Sequence, residues 1–250
     1  MAIQLSAANM HLQSSLGFGL AATGQPYTFS VWLNCNWAPG SRCGFVGIYG
    51  AATDSPLQVP TTAMQIGTLG SGELAIWTAG YGALFITATA VMTSYSNTWV
   101  HVVMQYSGTA YTCYVNSAAV SAATSGSATT GYLNQIWING TPGGTGITDT
   151  SSFQLDALTV YRSILTNDEV GNIYRARGSR HGKIVGLIAR YEFDVGTEGS
   201  TVTTVPDLTN GTGTNAGALT ATGASSPTYA YTTDPAGGGV ATSNLRPVLG

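Results

Sequence analysis

The sequence predicts an all-β sandwich of two antiparallel sheets with one short helix, and three observations carry that reading. Apolar and polar residues alternate with a period of two over many short segments. Clusters of Gly, Pro, Asn and Ser bound those segments, as turns do between strands. No helical periodicity intervenes before Thr166, so the pattern is that of a sandwich rather than of alternating strands and helices.

Residues 27–34 form the first clear strand. Phe29, Val31 and Leu33 lie on one face, with Thr28, Ser30, Trp32 and Asn34 on the other. Residues 73–78 and 83–91 read as two more strands, joined at Ala79-Gly80-Tyr81-Gly82. Residues 99–106 and 110–116 form a hairpin about Ser107-Gly108-Thr109. Residues 153–162 alternate again, with Phe153, Leu155, Ala157 and Tyr161 expected on one face. The short helix begins at Thr166-Asn167-Asp168-Glu169, a capping box with Thr166 as N-cap and Glu169 three residues on. Asp168 and Glu169 suit the positive first turn, Val170, Ile173 and Tyr174 share a face, and Gly178 is a stop.

Composition narrows the function classes. Apolar residues make up 44% of the 250 and charged residues 8%, against about 25% charged in an ordinary domain. A core is easy to build, and Ser, Thr, Asn, Gln and Gly must cover the surface. There is one lysine, Lys183, and the net charge is -3, so clustered cations for nucleic acid are lacking. No run of some 18 apolar residues suggests a membrane span. The first residues, Met1-Ala2-Ile3-Gln4-Leu5-Ser6, have neither a basic nor an apolar leader region, and no signal peptide is expected. Cys35, Cys43 and Cys113 are an odd set. Cys35 and Cys43 flank a turn and are placed to bridge, or all three are small buried hydrophobes.

Five segments then resemble the laminin-G-like and pentraxin-like domains of the concanavalin A-like jelly rolls. Phe29-Ser30-Val31-Trp32-Leu33 is similar to their F-S-hydrophobic-W-hydrophobic strand, and Trp99-Val100-His101-Val102-Val103 to their W-x-H strand. Tyr114-Val115-Asn116 resembles Y-V-N-G, with Ser117 where the family prefers Gly. Residues 153–161 resemble F-x-G-x-I-D-x-hydrophobic-x-hydrophobic-Y, and residues 164–170 resemble x-L-S-x-E-E-hydrophobic. They follow family order over residues 2–175. The resemblance implies a jelly roll in which Trp32, Trp99, Asp156, Thr166 and Glu169 are structural. His101 falls at a family position that is structural as well.

A sixth segment is out of order. Residues 186–194 resemble the opening strand of such domains, G-L-V-A-Y-Y-x-F-D, and Asp207-Leu208-Thr209-Asn210-Gly211 resembles the turn after it. About sixty residues remain there, too few for a second jelly roll, so a single domain closed by its own C-terminal segment is expected. The sandwich is assigned to residues 1–195. The Gly/Thr/Ala-rich extension of 196–250 is expected to pack on the sandwich or on neighbouring subunits, being too poor in large apolar groups to order itself.

The relatives include hydrolases, and Glu192-Phe193-Asp194-Val195-Gly196-Thr197-Glu198 resembles the E-x-D-x-x-x-E strand of laminarinase-type glycosidases. There, two carboxylates must flank one glycosidic bond. Here the strand is expected to break at Gly196, leaving Glu198 in a turn, and no catalytic residue is assigned. Asp207 and Asn210 offer oxygen ligands for calcium, or form an Asx-turn that caps its own backbone. Exposed aromatics beside polar groups would bind sugar by stacking, and Trp37, Tyr49, Tyr81 and Trp137 are the candidates near loops or strand ends. Two functions fit. One is a non-enzymatic structural virion protein, a bacteriophage capsid decoration or head-fibre type, as a homo-oligomer with major capsid proteins and with host-surface glycans as a further partner. The other is a carbohydrate-binding module of a bacterial surface or secreted protein, with an extracellular location.

Overall fold

Period-two alternation becomes two layers in the computed structural model. It describes residues 2–6, 10, 12–14, 20–21, 25–40, 43–49, 64–78, 82–125, 132–133, 135–139, 152–176, 185–193, 197–209, 217–221 and 227–230. The first sheet runs β11 (Ala118–Val120), β10 (Tyr111–Val115), β9 (Val100–Tyr106), β4 (Tyr27–Cys35), β15 (Phe153–Tyr161), β1 (Ala2–Leu5) and β19 (Thr228–Ala230). β16 (Leu187–Tyr191) also pairs with β15, end to end with β1 along the same edge. The second sheet runs β12 (Ala122–Ser125), β8 (Gly82–Thr87), β7 (Leu74–Thr78), β6 (Met64–Thr68), β5 (Cys43–Tyr49), β14 (Gln135–Ile138), β2 (Leu12–Ser14), β18 (Leu219–Ala221) and β17 (Thr204–Val205). β3 (Leu20–Ala21) and β13 (Tyr132–Leu133) pair as a separate ribbon.

The core lies between the two layers. Phe29, Val31, Leu33, Phe153 and Leu155 of the first sheet meet Phe45, Val46, Ile66, Ile76, Ile136 and Ile138 of the second, all buried. Phe45 and Phe153 cross the interlayer edge to face, with centroids 5.2 Å apart. Each such side chain contributes about 1.5–3 kcal/mol by leaving water. Cys35, Cys43 and Cys113 are all free and buried, so no bridge spans the turn between β4 and β5. Burial pushes the Cys113 thiol far up, which leaves it inert. Segments near both ends of the described residues join this frame. The first strand of the chain sits in the first sheet and the second in the other, and β17, β18 and β19 from residues 204–230 extend both sheets beside them.

Two elements depart from the expectation. The strand expected over 83–91 ends at Thr87, whose hydroxyl accepts from the Leu74 amide and donates to the Thr89 carbonyl. The chain then makes a second short helix, α1 (Val91–Tyr95), and buries Val91 and Met92 in the core. In β15 the register shifts between Asp156 and Thr159, with Ala157 at φ 47 and its amide donating to Asp156 Oδ1 at 2.8 Å. This bulge changes which residues point inward. Phe153, Leu155, Leu158 and Val160 enter the main core, whereas Tyr161 points to the opposite face, away from Phe153. Asp156 holds that bulge.

The outer face of the first sheet is covered by α2 (Asn167–Ala176), the helix that the capping box predicts. The Glu169 amide donates to Thr166 Oγ1 at 3.2 Å, and the Thr166 amide donates back to Glu169 Oε2 at 2.7 Å. Val170 and Ile173 seat on Val103, Tyr114, Tyr161 and Leu165 as a second apolar cluster. Hydrogen bonds from Tyr114 to Asn167, Gln105 to the Leu165 carbonyl and Thr28 to the Ser163 carbonyl tie the segment down. Trp32 lies on this outer face, opposite Phe29, Val31 and Leu33 as the alternation predicts, with its ring against Tyr174 (5.7 Å) and His101 (5.1 Å). Covering by α2 explains why nearly every residue of β4 and β9 is buried on both faces. Trp99 stands just before β9 and is half-buried.

His101 is sealed inside that stack. Its Nε2 lies 2.8 Å from Ser30 Oγ, and its Nδ1 meets no hydrogen-bond partner among the described residues. Burial lowers its pKa from 6.5 to about 3, so the ring is neutral in the fold.

Two outcomes follow from this packing. Thr166→Ala removes the acceptor for the Glu169 amide and should cost about 1 kcal/mol in chemical denaturation. A midpoint unchanged within error would contradict the cap. The second concerns pH. Because the folded pKa of His101 is depressed, unfolding takes up a proton between pH 6.5 and about 3. The contribution is fully present above pH 6.5 and is lost as the pH falls, at a limiting slope of about 1.4 kcal/mol per pH unit. Unfolding free energies of the parent and of His101→Gln, measured from pH 7 to 5, should differ in slope by roughly that amount. Equal slopes would mean that His101 is not sealed.

Candidate functional site

The outer face of the second sheet is built differently. Ile136 and Ile138 of β14 enter the core, so Trp137 between them faces outward. Residues directly opposite in an antiparallel pair share a face, about 4.5–5.5 Å apart at Cβ. Trp137 pairs with Gln13 of β2 on one side, Gln13 with Thr220 of β18, and Thr220 with Thr204 of β17. On its other side Trp137 pairs with Gly47 of β5, and the same register row continues through Gln65 of β6 to Trp77 of β7. Trp137 and Gln13 are half-buried, and Thr220 and Thr204 are exposed.

Local chemistry fixes β14 and β2 to one another. The Ile136 amide donates to the buried Ser14 hydroxyl at 2.9 Å, and Asn139 Nδ2 donates to the Met10 carbonyl at 2.8 Å. Asn139 itself turns at φ 56 to end β14. With Gly47 on one flank and Gln13 on the other, the indole of Trp137 has a neighbour without a side chain and a neighbour with an amide. Such an arrangement suits a ring that stacks on a ligand while the amide bonds its hydroxyls.

The other aromatic candidates fall elsewhere. Trp37 is 8% exposed and belongs to the main core; its Nε1 donates to the Leu69 carbonyl at 3.3 Å, and its ring packs on Gly72. It presents no platform to the outside, because its ring turns inward against Gly72 while Asn36, Ala38, Pro39 and Gly40 around it stay exposed. Tyr49 pairs with Gln135 in the register row next to Trp137, while its side chain lies outside the described residues. Tyr81 also lies outside them. Gln13, Thr220 and Thr204 were not singled out from the sequence. The alternation Leu12-Gln13-Ser14 is the only local signal, and strands of two or three residues give too little pattern to place their partners.

The acidic candidates separate too. β16 ends at Tyr191, and Glu192 just beyond it forms an ion pair with Arg190. Glu198 is exposed in a turn, and Asp194 lies outside the described residues. Asp207 Oδ1 accepts three times: from the Arg190 amide (3.1 Å), the Thr209 amide (3.1 Å) and the Thr209 hydroxyl (2.9 Å). This is an Asx-turn that also pins β16 to the segment after β17. Asn210 lies outside the described residues, and no group of three or more potential metal-ligating His, Cys, Asp or Glu side chains occurs among the described ones.

Comparison with known proteins agrees with the architecture. A solved structure from Bacteroides ovatus, described as a candidate carbohydrate binding protein, matches 89% of this chain at 16% identity and a TM-score of 0.58. The chain spans 58% of that protein's length. The heptameric SAP-like pentraxin of Limulus polyphemus matches 74% of this chain and 88% of its own, at 16% identity and a TM-score of 0.50. At these identities the likeness is one of fold. No curated protein sequence matches the chain. The family profile of the concanavalin A-like lectin/glucanases superfamily matches residues 8–171, well over half of the 250. The chain belongs to the concanavalin A-like lectin/glucanases superfamily.

Proposed function

We propose that this chain is a non-catalytic, lectin-like carbohydrate-binding domain that works outside a cell or at its surface. One observation carries the reading: Trp137 faces outward on the second sheet, half-buried, in a row with Gln13, Thr220 and Thr204. Indole rings bind sugars by stacking on their C–H faces, and amides and hydroxyls bond the hydroxyls around the ring. The likeness to the candidate carbohydrate binding protein of Bacteroides ovatus supports the same class. The pentraxin's heptamer supports a homo-oligomer, in which weak sites would add through avidity. Against hydrolysis stand the ion pair that occupies Glu192 and the exposed turn that holds Glu198.

A structural role in a virion, as a bacteriophage capsid decoration or head-fibre protein, is the second reading. It rests on the charge content of 8%, which leaves a surface suited to packing through hydrogen-bonding and apolar contacts. That reading calls for a capsid surface as partner and needs no sugar.

A glycan array followed by titration calorimetry separates the two. Saturable binding to one glycan class, weakened at least tenfold (about 1.4 kcal/mol) by Trp137→Ala with the fold intact by circular dichroism, is the expected result. Trp37→Ala should instead destabilise the fold, as removal of a core ring does. Binding unchanged in Trp137→Ala would remove this site. Purified protein should release no reducing sugar from laminarin or mixed-linkage glucan, and release abolished by Glu192→Gln would restore a catalytic reading.

A further inference from the structure

We infer, resting on the carbohydrate-binding reading, that the ligand is an uncharged oligosaccharide lying across the strands of the second sheet, from Trp137 toward Thr204. The direction comes from register. Trp137, Gln13, Thr220 and Thr204 are direct partners on the four successive strands β14, β2, β18 and β17. Strands stand about 4.8 Å apart, so the row extends roughly 14 Å perpendicular to them, longer than one sugar ring. Exposure rises along it, from the half-buried indole and amide to the two exposed threonines. A first sugar stacks on Trp137, and the units that follow meet the Gln13 amide and the threonine hydroxyls.

Neutrality comes from the same row. The indole offers an apolar ring face, a primary amide and two hydroxyls donate to and accept from sugar hydroxyls, and none carries a charge that could balance a carboxylate or sulfate. An acidic sugar placed there would lose hydration without gaining a counter-charge from this row. The described arginines all belong to the other layer. Arg162 follows β15, Arg175 lies in α2, and Arg190 lies in β16 where it is paired with Glu192. The nearest described carboxylate in sequence, Asp207 after β17, turns its Oδ1 to the Arg190 amide in the first sheet.

The test is calorimetry of the full chain with two ligand sets. The neutral set is gluco-, xylo- and manno-oligosaccharides from monosaccharide to hexasaccharide. The acidic set is sialyl-lactose, oligogalacturonate and heparin fragments. Binding to at least one neutral series is expected, tightening tenfold or more from monosaccharide to tetrasaccharide and changing little between low and high salt. Trp137→Ala should weaken every length, whereas Gln13→Ala and Thr220→Val should flatten the gain with length and leave the shortest ligands unchanged. Binding to acidic ligands alone would overturn this inference and leave the carbohydrate-binding reading in place. A monosaccharide bound as tightly as the tetrasaccharide would overturn the pose across the strands. Absence of binding to either set would sink both readings together.

Discussion

The pairing of β15 is the constraint on which the rest of the domain depends. One edge of this nine-residue strand carries β4, and the other carries β1 and β16 end to end. Two segments from the first 35 residues and one from residues 187–191 therefore meet on one strand. The bulge after Asp156 lets a single strand serve both faces. Before it, Phe153 and Leu155 fill the interlayer core; beyond it, Leu158 and Val160 still do so, while Tyr161 supports α2 on the outside. Without that extra residue the parity would reverse, and one face or the other would lose its apolar contacts.

The two outer faces are then treated differently, and this is where function enters. On the first sheet the face is closed by α2 and by the stacked rings of Trp32, His101 and Tyr174. Ser30 and His101 pair inside it, while the Trp32 indole nitrogen and His101 Nδ1 are buried there with no hydrogen-bond partner among the described residues. On the second sheet the row from Trp137 to Thr204 ends in exposed hydroxyls, and its members are the kind that recognise a polyhydroxylated ligand. Recognition by stacking and neutral hydrogen bonds is what such a surface does well.

Much of the frame was legible in the sequence. The strands at 27–34, 99–106 and 110–116 and the capping box at Thr166 depend on near neighbours, so local pattern exposes them. Trp32 shows where that legibility stops: alternation put it opposite Phe29, Val31 and Leu33, but only the position of α2 shows that this face is also buried. The bulge in β15 was hidden because Ala157 is an ordinary residue in an unusual conformation, at φ 47. Trp137 was visible as an aromatic near a strand end, while Trp37 looked alike and turned inward. Gln13, Thr220 and Thr204 were out of reach. Their strands are two or three residues long, and two of them come from a Gly- and Thr-rich stretch whose pairing with residues 12–14 spans some two hundred positions.

Sugar is proposed to meet the protein on the outer face of the second sheet. Titrating a neutral oligosaccharide into isotopically labelled protein, and following amide and indole resonances by nuclear magnetic resonance, tests it most directly. The Trp137 indole resonance and the amides of residues 12–14, 135–138, 204–205 and 219–221 should shift together along one binding curve. Shifts confined to α2 and the first sheet, or a Trp137 indole resonance that stays put while others saturate, would contradict it.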